Sequence, residues 1–177
     1  FNEIWIELNN QLTGLEKIRI INHLIFEKRA LSSQKNINLN SKHLFVRNLL
    51  IAGYGDDLAI AALYCMLCRE LEIPVYKVGY DDTSILGLLD STITMLPLTQ
   101  VADTHPILFY ILIQQQGDVI GKRPFLSYLE QEFPTHNPDF RILTDKEFIR
   151  VILQKLFVFY KEENNRKRQS KIKELLL

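Results

Sequence analysis

The chain has 177 residues, of which 47% are hydrophobic and 24% charged, with 21 Lys and Arg balanced by 21 Asp and Glu. That is enough for one domain, or one domain plus a small appendage, with a core that needs no disulfide or metal. Balanced charge supplies no global field toward nucleic acid or a membrane surface. Within these residues no secretory h-region precedes a cleavage site, and no apolar run approaches ~18 residues.

Ile4, Trp5, Leu8 and Leu12 recur at helical spacing and predict a first helix. After Gly14, the run LEKIRIINHLIFEKRA places Leu15, Ile18, Ile21 with Asn22, and Ile25 on one stripe of a second helix. Ser32 to Asn40 reads as a polar loop. Leu44, Val46, Leu49 and Leu50 predict a short third helix closed by Gly53 and Gly55. From Asp57 to Leu71 the chain is apolar nearly all round, Met66 included, so this helix is expected inside the domain. Pro74 stops it. Val75 to Val78 and Ser84 to Leu89 predict two strands.

A long segment, Asp90 to His105, carries Met95-Leu96-Pro97-Leu98 and reads as a lid-like loop or a short helix. Ile107 to Ile113 is a strand between Pro106 and Gly117, and Asp118 to Ile120 returns as a hairpin. Lys122 to Phe133 predicts a helix with Phe125, Leu126 and Leu129 inward. Thr144-Asp145-Lys146-Glu147 is a capping box that opens a helix with Phe148, Val151, Ile152, Leu156 and Phe159 on one face. A last helix follows Asn165. Helices, then strands, then helices make an α+β fold. The two terminal helices form a hairpin like one tetratricopeptide-type unit, which must pack on the domain or on further repeats to bury its face. The start at Phe1 rather than Met leaves open that the chain is part of a longer protein, and Leu175-Leu176-Leu177 points to a mate for the last helix.

Chemistry-bearing residues are sparse. Cys65 and Cys68 lie mid-helix with no second pair to complete a zinc site, and read as two small buried hydrophobes in a reducing, cytoplasmic setting. His23 reads as a helix-packing residue and His43 as an exposed helix start, while His105 and His136 fall in loops. No pair has metal-ligand spacing, so neither metal nor cofactor is expected. Asp56, Asp57, Asp81 and Asp82 sit where a hard cation could be held, but read more simply as caps and turn residues. Arg166, Lys167, Arg168, Lys171 and Lys173 lack interleaved aromatics and are diluted by Glu162, Glu163 and Glu174, so a solvated helix face is expected, not a nucleic-acid site.

Three segments resemble the transglutaminase-like superfamily in its bacterial SirB ("regulator of SirC") branch. They are Asn22-His23-Leu24-Ile25-Phe26-Glu27, the stretch Leu44 through Val78, and Leu108-Phe109-Tyr110-Ile111 with Gly117 and the helix after it. The resemblance implies a helix-rich, papain-like core with a small antiparallel sheet over residues 1–138. It further implies a tetratricopeptide-like helical hairpin over 139–177. In active members of the superfamily a Cys at the start of the core helix attacks an acyl carbon, a His takes its proton, and an Asp or Asn orients the His.

Spacing back from Ile73-Pro74 puts the Cys position at Asp57, where a carboxylate is expected to cap the helix. The His position falls at Thr83 or Ser84, and the Asp/Asn position near Leu112, within Leu112-Ile113-Gln114. No catalytic residue is therefore expected. Asp56, Asp57, Asp82, Thr83, Ser84 and Leu112 are expected to outline a vestigial cleft. The expected function is a catalytically inactive interaction or regulatory module with a protein partner, and with self-association possible through the C-terminal helices. The alternative is a hydrolase or acyl-transfer enzyme using non-thiol chemistry in the same cleft.

Overall fold

The structure is a computed structural model, described over residues 12–33, 39–79, 83–90, 107–132 and 141–176. The expected first helix, Asp82, the segment with Met95 to Leu98, His105 and His136 lie outside these residues. Thr13 opens helix α1 (Gly14–Asn22) with a capping box: its hydroxyl accepts from the Glu16 N–H and the Glu16 carboxylate accepts from the Thr13 N–H. The helix continues in π geometry over His23–Lys28, burying Ile18, Ile21 and Ile25 along the expected stripe.

Strand β1 (Ser32–Ser33) then pairs in parallel with β2 (Tyr54–Gly55), so the expected polar loop begins as a strand. Nothing in residue type signals this, because the ladder uses only backbone groups. Between them lie a 3-10 turn (Ser41–Leu44) and helix α2 (Val46–Ala52), which Gly53 ends in the left-handed conformation at φ 78°. On this helix Leu49 is buried, while Leu50 is 56% exposed.

Helix α3 (Asp57–Glu70) is the centre of the domain, with eight buried residues from Leu58 to Cys68. Its cap is Asp56, one residue before the expected Asp57: the Asp56 side chain accepts from the Leu58 N–H at 2.9 Å. Met66 is exposed, contrary to the all-round apolar reading, and Cys65 keeps some surface while Cys68 has none. The helix ends at Glu70, ahead of Pro74, as Glu72 turns to φ 54°.

Four antiparallel strands run in the order β3 (Val75–Lys77), β4 (Ile85–Leu89), β5 (Ile107–Leu112) and β6 (Asp118–Ile120). Every residue of β4 is buried. Helix α4 (Lys122–Glu132) closes the sheet by stacking Phe125 on Tyr110, while Leu126, on the same turn, faces solvent rather than inward. The fold is thus α+β: a helix-rich domain with a small antiparallel sheet, followed by a helical hairpin.

That hairpin is α5 (Asp145–Glu162) and α6 (Arg166–Leu176), with the Thr144 capping box formed as expected. Glu147 closes the box and also accepts from Arg141 at 2.6 Å, and these bonds hold its carboxyl down at about 2. α5 packs on the domain: Phe148, Val151, Leu156 and Tyr160 join the same core as Ile18 and Leu58. Backbone bonds from Leu143 to Lys77 and from Gly79 to Arg141 carry the chain into it. Ser41 donates twice to the Glu163 carboxylate, and Arg69 pairs with Asp145. No helix among the described residues is long and apolar enough to cross a membrane.

Candidate functional site

The start of α3 is where the elements converge. β1 and β2 lie on one flank, the turn after β5 on another, and α5 beyond. Asp56 is 1% exposed and points toward α5, where Lys155 Nζ donates to its carboxylate at 2.9 and 3.1 Å. The Asp56 N–H donates to the His43 carbonyl. Asp56 is therefore spent on capping and on a mostly buried ion pair, which ties the core helix to the C-terminal hairpin.

Asp57 points elsewhere. Burial pushes its carboxyl above the usual range, and the neighbouring Asp56 charge adds to this. Ser33 and Gln114 reach it as hydrogen-bonding side chains and act in the opposite direction, as does the Lys155 charge. Its Oδ1 is buried without a hydrogen-bond partner.

The expected His position is occupied by Thr83 and Ser84 at the entry to β4, both buried. Ser84 is held by backbone: its carbonyl accepts from the Ile113 N–H at 3.3 Å, next to the Ile85–Leu112 register. Its hydroxyl Oγ, like Asp57 Oδ1, has no partner. Thr83, Ser84, Leu112, Gln114 and Tyr128 line a chamber of about 10 Å3, room for one water-sized species. Gln114 thus belongs both to this chamber and to Asp57.

The expected cleft residues are accordingly split. Asp57 is joined through Gln114 to Thr83, Ser84 and Leu112, Asp56 is diverted to Lys155, and Asp82 falls outside the described residues. Gln114 lies in the segment the spacing singled out. Ser33 and Lys155 carried no sequence signal, since each arrives by tertiary packing. No group of three or more potential metal-ligating side chains forms among the described residues.

The other candidates are occupied elsewhere. His23 is exposed rather than packed, and its Nδ1 pairs with Glu27 at 2.7 Å. The His43 Nδ1 accepts from the Asn40 N–H, and its ring lies against Tyr54. Desolvation pushes the Cys65 thiol up to about 12 and the Cys68 thiol well above its ordinary value, so neither supplies a thiolate at neutral pH.

A family model described as the transglutaminase-like superfamily matches residues 1–153. The match runs through the expected boundary at 138 and into α5. No curated protein and no solved structure matches the chain. The chain belongs to the transglutaminase-like superfamily.

Proposed function

We propose that this member of the superfamily is a non-catalytic interaction or regulatory module of the SirB type, which keeps the scaffold and has lost the acyl-transfer chemistry. The observation that carries the reading is the composition of the triad positions. A carboxylate, Asp57, stands where the nucleophile is expected, a hydroxyl, Ser84, where the imidazole is expected, and an amide, Gln114, near the orienting position. Gln114 is one of the side chains that act on the Asp57 carboxyl by hydrogen bonding. None of the three supplies a nucleophile activated by a base at neutral pH.

The electrostatics support the same reading. A helix N-terminus favours an anion, yet burial and the Asp56 charge outweigh it at Asp57. The C-terminal pair offers a surface for a partner or a second copy: no residue of α6 is buried, and Leu175 is 68% exposed.

The alternative, non-thiol chemistry through Asp57, draws on its raised carboxyl pKa, a common property of acid–base groups. One experiment separates the two. Esters, amides and acyl acceptors are incubated with the chain and with its Asp57→Ala variant. The module reading expects no turnover above buffer. Turnover that Asp57→Ala abolishes would overturn it in favour of the enzyme.

A further inference from the structure

On the flank of α3, away from the Asp57 crevice, the end of the first helix, α2 and α3 enclose a groove of about 560 Å3. Its floor is apolar, formed by Leu24, Ile25, Leu31, Leu63 and Leu67. On its rim, Leu50 and Ile51 are 56% and 74% exposed. Two adjacent large aliphatic side chains left in water beside an apolar floor mark a surface that gains by being covered.

Among the described residues a single charged residue lines the groove, and it is basic: Arg29. Arg47 precedes Leu50 and Ile51 by three and four residues on α2, and so shares their face. Neither guanidinium has a hydrogen-bond or ion-pair partner among the described residues. Arginine is the cation best matched to carboxylates, through its planar fork of donors.

We propose that this groove docks the apolar face of an acidic amphipathic helix from a partner protein. Leu or Ile anchors at i, i+3, i+4 and i+7 fill the floor, and Glu or Asp on the flanks meet Arg29 and Arg47. The two arginines come from different elements, so a ligand with several carboxylates along its length satisfies both, whereas a fatty acid brings only one. The proposal adds a surface to the binding-module reading without passing through the crevice. Turnover at Asp57 would overturn that reading and leave this one standing.

The test uses a fluorescein-labelled amphipathic peptide of about four helical turns, with Leu anchors and Glu flanks, and a copy with Lys flanks. Each is titrated onto the 177-residue chain at low salt by fluorescence anisotropy. Saturable binding of the Glu peptide is expected, weakened about tenfold or more by Ile51→Asp and by added salt. Because Ile51 is exposed, circular dichroism should show that variant folded. The double variant Arg29→Glu, Arg47→Glu should reverse the preference between the two peptides.

Absence of saturable binding, or equal binding of both peptides, would overturn the proposal. So would a dimer that Ile51→Asp dissolves in sedimentation, which assigns the groove to a second copy. A shift in the emission of Trp5, the sole tryptophan, on Ile51→Asp alone assigns it to the chain's own N-terminal segment and overturns the proposal equally.

Discussion

The core helix meets the turn between β5 and β6 by two polar routes, and they are built to different standards. Midway along the helix, the Tyr64 hydroxyl donates to Asn22 Oδ1 at 2.8 Å, and Asn22 Nδ2 donates to the Gly117 carbonyl at 2.7 Å. Burial holds the Tyr64 hydroxyl well above its ordinary pKa, so it stays a donor. Gly117 is at φ 80°, and a Cβ there would come within 2.5 Å of Asn22 Oδ1. At the helix start, by contrast, Asp57 and Gln114 make the crossing, and Asp57 Oδ1 and Ser84 Oγ are left over. The first route joins three elements by matched groups. The second leaves two buried polar atoms unmatched.

The sharpest way to break this comparison is at the matched route. Asn22→Ala strands the Tyr64 hydroxyl and the Gly117 carbonyl at once. With unsatisfied buried groups costing about 1–3 kcal/mol each, a loss of about 2–4 kcal/mol is expected. Urea unfolding should show it as a lower midpoint at unchanged slope. A loss within about 0.5 kcal/mol would mean that water replaces Asn22 and that the two routes do not differ.

The next effect lies at the hairpin. Lys155→Met leaves the Asp56 carboxylate, 1% exposed, without its cation. Breaking a fully buried pair costs about 3–5 kcal/mol, but the Lys155 side chain is 21% exposed and water can reach part of the site. A loss of roughly 1–3 kcal/mol is expected after that discount, read again from urea unfolding. If the C-terminal hairpin were only an appendage, the main transition would not move.

The same contrast explains what could be read from residues alone. Local rules act within a turn or two of chain. The Thr144–Glu147 capping box, the stripe of Ile18, Ile21 and Ile25, and the Pro74 stop all follow them, and so are legible. Asn22 carries a join that spans 95 residues in sequence to Gly117, and as one polar residue on an apolar stripe it looks like noise. Ser33 reaches Asp57 only because two residues of a polar stretch pair with Tyr54 and Gly55. Leu50, Met66 and Leu126 are apolar yet exposed, because residue type reports a preference for burial while the neighbours decide it. At the site, spacing located the crevice segments but not the diversion of Asp56 to Lys155, which depends on where α5 docks.

The unmatched region gives two smaller tests, both with signs opposite to the usual destabilisation. Ser84→Ala removes a buried hydroxyl that has no partner. If the chamber is dry, the variant should gain about 1 kcal/mol and melt higher. A lower melting temperature would mean that the hydroxyl holds a water in the chamber, and the region would then be better matched than its protein contacts suggest.

Asp57→Asn is the smallest effect and the most informative. Below the ordinary carboxyl value of 3.8, Asp57 is protonated in both folded and unfolded chains and contributes no difference. As pH rises from there through its raised folded value, the unfolded chain releases the proton first, so stability is lost. Above that value the penalty is constant. Asparagine never ionises, so the variant should match the parent near pH 3 and melt higher near pH 7. The gain is held to about 0.5–1 kcal/mol, since the variant also gives up the favourable contact of a charge with the helix N-terminus. Melting curves of both chains across this range decide the matter. If the variant is instead the less stable at neutral pH, the ionised carboxylate is being stabilised by something beyond Ser33, Gln114 and Lys155. The start of α3 would then be a held anion site, and its two spare atoms a place where a ligand binds.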